Sequence, residues 1–511
     1  MRNESGKTAV HDEPTGANHM SRRELVALLG SGVLATALPS CAPRPSSGTD
    51  ALADPLYYSS VKALASAIQR KTLSSEEVVQ AFLDRIEAMN PQLNAVVQLD
   101  AEEAIARARE ADSALARGET WGALHGVPMT IKDSLDTAGV ISTGGTKGRA
   151  SFVPDKDATV VERLRGEGAI LLGKTNTPEL TLSFETDNLI YGRTNNPYDL
   201  SRTPGGSSGG AAAIVAAGGS PFDIGSDYGG SIRLPSHFCG LAGIKPSAGR
   251  VPRTGHIYPF GGVQDSFQQI GPIARYVDDL SLILPLIAGP DGIDPGVVPL
   301  PWHDPEEVDL AALRVSFHTD NGIATPTPEI VAAVEAAARA LSGEGLPVEE
   351  VRPPGVEESF DIGLPVYFWD GGAAVSRLLR DAGTTEHTLR DFTDAEAVPA
   401  AQLDELITRL YALRSKMLSF LEDFDVIVCP VNALPAVPHG GTGAPETLTA
   451  FSYTVTYNLT GWPGAVVRGG TSPEGLPIGV QIVTRPARED VALAVAKFVE
   501  TALGGFQRPS I

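Results

Sequence analysis

The sequence predicts an α/β fold in which short strands alternate with helices. Three observations lead to this prediction. The 511-residue chain is 42% hydrophobic, which is enough to bury a substantial core. Its 54 glycines are typical of a protein with many tight turns. From about residue 126, short apolar runs alternate with helical patterns, and no repeat or clean boundary divides them. We therefore expect one domain over residues 54–511.

The beginning of this domain, up to about residue 118, has the pattern of helices. Ser74 and Glu77 have the spacing of a capping box, and apolar side chains follow at helical intervals. Pro91 is expected to end this first helix, because proline has no N–H to donate. A second amphipathic helix, rich in Ala, Glu and Arg, is predicted over residues 101–116.

The elements that follow alternate in type, as an α/β sheet requires. Strands are predicted at residues 127–133, 169–172, 221–225, 313–317 and 426–431. Helices are predicted at residues 158–166, 211–217, 329–341 and 404–421. A Pro/Gly/Asp-rich segment at residues 290–305 predicts a surface crossing. Lys132 lies near the end of the first of these strands.

Charge and cysteine content narrow the range of functions. The formal net charge of −22 repels phosphate backbones, so we expect no nucleic-acid partner. The chain has three cysteines, and none of them forms a CxxC motif or a Cys/His cluster. The sequence therefore predicts no disulfide framework, no metal site and no cofactor.

The N-terminal residues 1–53 have the pattern of an export signal and a tether. Arg22 and Arg23 precede an uncharged run at residues 25–40, which is too short for a confident spanning helix of roughly 20 residues. This pattern resembles a twin-arginine signal. Residues 38–41 resemble a lipoprotein cleavage box that would leave Cys41 lipidated, and Met20 is the expected start. We expect a periplasmic or cell-surface protein. The alternative is an ordinary N-terminal helix with a chance arginine pair.

The densest signal is a pair of glycine-flanked serine sites, at residues 205–210 and 229–233. Glycines let backbone N–H groups approach a ligand, and a helix that begins just after the first site would direct its positive end there. A flexible Gly/Ser linker is the alternative interpretation of the first site. The run AAAIVAA that follows has the composition of a buried helix and argues against a linker.

The run from residue 205 to residue 235 resembles the signature block of the amidase signature family. The resemblance extends over residues 126–128, 131–133, 173–176, 240–247 and 475–481. It spans roughly residues 55–505 and agrees in order and spacing. It implies a single large domain with a central mixed β-sheet covered on both faces by helices. The implied activity is hydrolysis of a carboxylic amide without a cofactor.

The same resemblance implies a role for each residue of the motifs. Lys132 matches the family's base, Ser207 its bridging serine with a cis peptide bond, and Ser231 its nucleophile. Ser208 is the alternative to Ser207. The backbone N–H groups expected to form the oxyanion hole belong to Tyr228, Gly229, Gly230 and Ser231, and the residues expected to support that loop are Asp227 and Arg233.

The proposed relay also follows from acid–base chemistry. A serine hydroxyl needs a base, and a free lysine with a pKa near ~10.4 is almost wholly protonated at neutral pH. Burial lowers the pKa of a lysine by disfavouring its charged form. A neutral Lys132 would accept a proton from Ser207, which takes one from Ser231. The acyl-enzyme forms, and the same groups return a proton to the leaving amine.

Other residues near the motifs receive weaker predictions. Histidines at 125, 237 and 256 are expected to be structural, and Cys239 is expected to be a buried thiol. Four residues are candidates to approach the pocket: Asn176, Glu185, Asp187 and Asn188. Four aromatic residues are candidates to line an apolar acyl pocket: Phe222, Tyr228, Phe368 and Trp369.

Three alternatives to an exported amidase stay open. Residues 205–209 match the GxSxG elbow of an α/β-hydrolase esterase with Ser207 as nucleophile, although a turn-rich segment precedes them. A catalytically silent surface lipoprotein could bind amides or peptides. The amidase subunit of the tRNA-dependent amidotransferase shares the signature, but an export signal disfavours it.

The expected partners are a small amide, the membrane through Cys41, and a second copy in a homodimer. The sequence does not choose among fatty acid, peptide, aryl and oligomeric amides.

Overall fold

A computed structural model describes residues 55–511, apart from the side chains of residues 445 and 446. The predictions for residues 1–53 therefore lie outside the described residues. The strands are β1 Val96–Leu99, β2 Pro128–Lys132, β3 Ile170–Thr175, β4 Phe222–Asp227, β5 Ala242–Lys245, β6 Gln269–Ala274, β7 Val315–Phe317, β8 Val348–Glu350, β9 Val426–Pro430, β10 Gly464–Thr471 and β11 Pro477–Thr484.

Helices of four to 21 residues connect and cover these strands. They are α1 Val61–Gln69, α2 Ser75–Leu93, α3 Ala101–Ala116, α4 Thr159–Gly166, α5 Gly209–Ala216, α6 Arg233–Phe238, α7 Val277–Ile287, α8 Pro328–Gly343, α9 Ser359–Tyr367, α10 Ala373–Asp381, α11 Arg390–Thr393, α12 Ala400–Phe420, α13 Pro445–Leu448, α14 Ser452–Thr460 and α15 Glu489–Leu503. Among the described residues, no helix is long and apolar enough to cross a membrane.

The strands form one mixed sheet of 11 strands, in the order β1-β3-β2-β4-β6-β5-β10-β11-β9-β7-β8. Helices pack on both of its faces, as two neighbouring residues of β11 demonstrate. The Cβ position of Gly479 faces His237 of α6. The side chain of Val480 points the other way, and both it and Ala333 of α8 approach Gly469. The predicted fold class, a single α/β domain with a helix-covered mixed sheet, is confirmed.

The order of the central strands brings the signature motifs to one edge of the sheet. Strands β2 and β4 are parallel neighbours, with Thr130 opposite Asp223 and Ile131 opposite Ile224. Parallel neighbours end at the same edge, so Lys132 and the loop after Asp227 lie close together. Helix α5 begins at Gly209, directly after the first serine site.

Two local predictions for the first hundred residues need correction. The capping box is present, since Ser74 Oγ accepts the N–H of Glu77. Helix α2, however, continues through Pro91, because a proline in the last turn removes only one backbone bond. The helix ends when Asn94 adopts a left-handed conformation with φ of 51°. Strand β1 interrupts the predicted helical region and pairs antiparallel with β3.

Candidate active site

Lys132 ends β2 with its amine fully buried among three serine hydroxyls. Its Nζ is 2.6 Å from Ser207 Oγ and 3.0 Å from both Ser208 Oγ and Ser226 Oγ. Burial lowers the pKa of Lys132 to about 7, although the charges of Asp227 and Asp223 oppose this shift. A large fraction of this lysine is therefore neutral near pH 7.

The first serine site reaches this lysine through a tightly packed turn. The Gly206–Ser207 peptide bond is cis, as the resemblance implies. A side chain at Gly206 would meet the backbone of Ser183 and Glu185 within 2.7 Å, so only glycine fits there. The turn is joined to the second serine site by the N–H of Ser208, which donates to Ser231 O at 3.2 Å.

The second serine site occupies the loop between β4 and α6. Ser231 is 5% exposed and lines a cavity of about 330 Å³, together with Tyr228 and Gly229. The carboxylate of Asp227, where β4 ends, holds the loop by accepting the N–H groups of Gly230 at 2.9 Å and Ile232 at 3.1 Å.

A buried ion pair supports Asp227 in turn. Arg233 Nη2 is 2.9 Å from Asp227 Oδ1, and both side chains are fully buried. Burial alone would raise the pKa of Asp227, but the charge and hydrogen bonds of Arg233, together with the charge of Lys245 and a hydrogen bond from Asn458, hold that pKa below its usual range. Arg233 also donates to Thr454 O and Gln481 Oε1, so its remaining protons are satisfied. Asp227 and Arg233 thus hold the loop through hydrogen bonds and a buried ion pair.

The structure corrects the predicted oxyanion loop at Gly230, whose N–H already donates to Asp227 and therefore points away from the cavity. The N–H groups of Tyr228, Gly229 and Ser231 have no acceptor within residues 55–511. Tyr367 Oη donates to Tyr228 O at 2.6 Å, and a trans peptide directs the following N–H of Gly229 the opposite way. These three N–H groups belong to residues that line the cavity, and they have no acceptor in the described part of the chain.

The cavity beside Ser231, here called the inner chamber, is largely apolar and adjoins a more polar outer chamber. Its inner wall is formed by aromatic and aliphatic side chains, including Phe184, Phe360, Leu364, Tyr367, Phe368 and Val455. The outer chamber has a volume of about 540 Å³ and shares six lining residues with the inner one, including Leu182 and Phe392. Of the candidate pocket residues, Glu185, Asp187 and Asn188 line this outer chamber.

Several candidate residues lie elsewhere. Phe222 is a core residue at the beginning of β4, the opposite end of the strand from the site, and Trp369 does not line either chamber. Asn176 is instead buried and accepts a hydrogen bond from Asn188. Cys239 is buried, as predicted, and burial raises the pKa of its thiol well above the usual range.

Three of the site's residues were not identified from the sequence as functional. Ser226 contacts Lys132, His256 contacts Ser226 at 3.0 Å, and Tyr367 orients the loop. Ser226 was detectable in principle, because it directly follows the strand predicted at residues 221–225 and directly precedes Asp227. The other two come from segments with no distinctive pattern. His125 and His237 bond to the backbone, as structural histidines do.

The esterase alternative conflicts with the geometry. A nucleophile elbow requires a strand directly before its serine. In the structure, residues 195–206 consist of turns, bends and isolated bridges. Ser207 is also 2.6 Å from a lysine amine.

Comparisons with known proteins agree with this geometry. The profile of the Amidase family matches residues 77–493. An acylamidase of Rhodococcus erythropolis is 35% identical over 462 residues, covering 86% of this chain and 94% of that protein. A glutamyl-tRNA(Gln) amidotransferase subunit of Moorella thermoacetica is 35% identical over 481 residues, covering 86% and 96%.

Solved structures show the same architecture. The structure of 6-aminohexanoate cyclic dimer hydrolase complexed with substrate superimposes with a TM-score of 0.80 at 28% identity, covering 89% of this chain and 99% of that one. Fatty acid amide hydrolase superimposes with a TM-score of 0.79 at 26% identity, covering 88% and 86%. The chain therefore belongs to the amidase signature family and is an amide-hydrolysing enzyme.

Proposed function

We propose that this enzyme hydrolyses amides with an apolar acyl group, using Ser231 as nucleophile, Ser207 as proton relay and Lys132 as base. The observation that carries the proposal is the buried Lys132 amine, which lies 2.6 Å from Ser207 Oγ and has a pKa lowered to about 7 by burial. A neutral amine in that position can accept the hydroxyl proton of Ser207.

The reaction proceeds in two balanced halves. Ser231 Oγ attacks the amide carbon while its proton passes to Ser207 and the proton of Ser207 passes to Lys132. The oxyanion is held by the N–H groups of Tyr228, Gly229 and Ser231, and one such donor contributes on the order of 3 kcal/mol. Collapse of the intermediate breaks the C–N bond, and the relay returns a proton to the amine. Water then attacks the ester by the same route and releases the acid.

Ser208 is less suited to the relay than Ser207, although both contact Lys132. The hydroxyl of Ser208 donates its single proton to Ser226 O at 3.3 Å, so this group serves Lys132 as an acceptor. The hydroxyl of Ser207 has no other hydrogen-bond partner in the described part of the chain. Its proton is therefore free for transfer.

The inner chamber supports the choice of an apolar acyl group. Its aromatic wall begins beside Ser231, where the acyl group of the intermediate would be attached. The names of similar proteins, an acylamidase and a fatty acid amide hydrolase, are consistent with this class. Burial of each additional methylene of an acyl chain is worth roughly 0.8 kcal/mol, so kcat/KM should rise with chain length until the chamber is full.

The test is hydrolysis of an acyl-length series of anilides by the full chain and by Ser231→Ala. We expect the wild-type enzyme to prefer the longer acyl groups and the variant to be inactive. Denaturing mass spectrometry of the wild type with an activated ester should place the acyl group on the peptide containing Ser231. The matched control is Ser220→Ala, since Ser220 is another buried serine, which donates to Phe222 O. If Ser231→Ala is as active as the wild-type enzyme, the assignment of Ser231 as nucleophile is wrong.

A second candidate function is release of ammonia from glutamine within an amidotransferase complex. The 35% identity to the Moorella thermoacetica protein over 481 residues favours it. Glutaminase activity in the same assay distinguishes the two, because the apolar chamber favours anilides over glutamine.

Residues 1–53 are proposed to direct export. Fractionation of cells that express the full chain should place the enzyme outside the cytoplasm, and replacement of Arg22 and Arg23 by lysine should retain it inside. Cys41→Ser should release an otherwise membrane-attached enzyme. The predicted homodimer is tested by light scattering.

A further inference from the structure

His256 lies behind the catalytic lysine because a short segment of chain pairs with the residues that follow β2. The N–H of Ile257 donates to Ser134 O and that of Asp136 to Gly255 O, both at 2.8 Å. This pairing buries the imidazole and places Nε2 3.0 Å from Ser226 Oγ. The chain of contacts is therefore His256, Ser226, Lys132.

Ser226 has one hydroxyl proton and two neighbours that could receive it. Its Oγ is 3.0 Å from Lys132 Nζ and 3.0 Å from His256 Nε2. A hydroxyl donates once but can accept twice. If this proton goes to His256, Ser226 presents only an accepting oxygen to the lysine; otherwise it donates the proton to the lysine.

A neutral lysine amine has two N–H groups and one lone pair. If Ser226 donates to His256, the lysine can donate its two N–H groups to Ser208 and Ser226. Its lone pair is then directed at Ser207, 2.6 Å away. If His256 instead donates to Ser226, the Ser226 proton turns towards the lysine and competes with Ser207 for the lone pair.

We propose that His256 is a positioning residue for the base. Its neutral imidazole, protonated on Nδ1, accepts the hydroxyl proton of Ser226 at Nε2 and thereby directs the lone pair of Lys132 to Ser207. The inference rests on the proposed function of Lys132 and Ser207, and it adds a residue from outside the signature block.

The surroundings of the imidazole supply an acceptor for the proton on Nδ1. Tyr258 O lies 3.1 Å from Nδ1 and can accept its proton. Gln268 Nε2 lies 2.6 Å from Nδ1 as a donor, and a flip of this side-chain amide replaces that donor by its oxygen as a second acceptor. The N–H of Tyr258, also 3.1 Å from Nδ1, and the unflipped amide of Gln268 both donate to Nδ1 and favour the other tautomer, so the proposal depends on the tautomer that the imidazole adopts.

Burial and the positive charges that face His256 keep its imidazole uncharged. Burial and the nearby charges of Lys132 and Arg253 lower the pKa of His256 to about 3, whereas a bond to Tyr258 O opposes this. The carboxylates that act on Lys132 are those of Asp227 and Asp223. The imidazole is therefore neutral throughout the range in which the lysine titrates, and only its tautomer varies.

The tautomer is tested by ¹⁵N NMR of the full chain labelled in histidine, with the His256 signals assigned from their loss in His256→Phe. We expect Nε2 to resonate as an unprotonated acceptor and Nδ1 as the protonated nitrogen. A protonated Nε2 in the resting enzyme overturns the proposal.

Kinetics supply a second test that is independent of NMR. His256→Phe should lower kcat by roughly tenfold, the value of one hydrogen bond, with little change in KM. In this variant the Ser226 hydroxyl donates to Lys132 and stabilises the neutral amine. The acid limb of the pH profile of kcat should therefore move to lower pH. His256→Gln, whose side-chain oxygen can accept at the position of Nε2, should restore most of the activity.

The decisive test asks whether a second substitution, Ser226→Ala, restores activity to His256→Phe. Removal of the misdirected hydroxyl frees the lone pair, so His256→Phe/Ser226→Ala should be more active than His256→Phe alone. If the activity losses of His256→Phe and Ser226→Ala multiply in the double variant, the proposal is overturned, because the two substitutions then act independently.

The control His237→Phe removes another buried histidine and should not move the acid limb of the pH profile. If Ser231→Ala is active, the proposed function itself fails; if it is inactive while the losses multiply, only this inference fails.

Discussion

Lys132 and Lys245 are both fully buried, and burial lowers the pKa of each to about 7, but their amines contact different kinds of oxygen. Lys132 contacts three serine hydroxyls. Lys245, where β5 ends, donates to Pro246 O, Gln269 Oε1 and Trp462 O, none of which can donate in return.

This difference explains why only one of the two lysines suits a base. Three carbonyl oxygens engage the three N–H groups of a protonated amine, and none of them can give a proton to the lone pair of the neutral form. Hydroxyls can either accept from a charged amine or donate to a neutral one, so they permit the amine to change its protonation state. Burial therefore lowers the pKa, and the neighbouring groups decide whether the lysine can act.

The largest expected effect comes from Lys132→Met. Loss of the proposed general base should reduce kcat by about 10³-fold or more at neutral pH. The fold should persist, because the three hydroxyls can rearrange their bonds and the carboxylate of Asp227 keeps its ion pair with Arg233. Turnover of an anilide, with thermal unfolding measured in parallel, checks both parts; retained activity would mean that another group is the base.

Lys245→Met should have the opposite profile. It leaves three buried acceptors without a donor, at about 1–3 kcal/mol each before the chain relaxes. We expect a clearly lower Tm, while the kcat of the folded fraction stays within a few-fold of the wild-type value. Equal loss of activity in the two lysine variants at unchanged Tm would remove the distinction between them.

The pH dependence of the wild-type enzyme sharpens the comparison. Because only neutral Lys132 accepts a proton, kcat/KM should rise about tenfold per pH unit below pH 7 and level off above it. The same depressed pKa means that protonation favours the unfolded chain, so this lysine costs folding stability as the pH falls from its unfolded pKa towards 7. Lys132→Met should therefore lose this part of the pH dependence of Tm.

The smallest effect is expected from Asp223→Asn. Asp223 raises the pKa of Lys132 and is not among the charges that act on Lys245. Removing its charge should move the acid limb to lower pH by some tenths of a unit, since burial raises the pKa of Asp223 itself to about 7 and leaves it only partly ionised. If the acid limb of the pH profile moves to higher pH instead, Asp223 does not act on Lys132 through its charge.

Much of the central sheet could be predicted from the sequence. The cores of β2, β3 and β4 are short apolar runs between turn residues, and the runs are visible without the structure. Strand β1 escaped prediction because its four residues stand between two strong helical patterns. Strands β10 and β11 escaped because their glycines interrupt the apolar pattern that marks a strand.

The sequence by itself determined which chemical groups are present and which elements carry them: a lysine near the end of a strand, two glycine-flanked serines and an acidic residue before the second site. Only the tertiary structure decided that Lys132 is buried, that the N–H of Gly230 turns to Asp227, and that Tyr367 and His256 reach the site. The physical reason is that the pKa of a buried group and the direction of its hydrogen bonds depend on neighbours that are distant in the chain. Ser226 and Lys132, for example, are separated by 94 residues and meet only because β2 and β4 are adjacent.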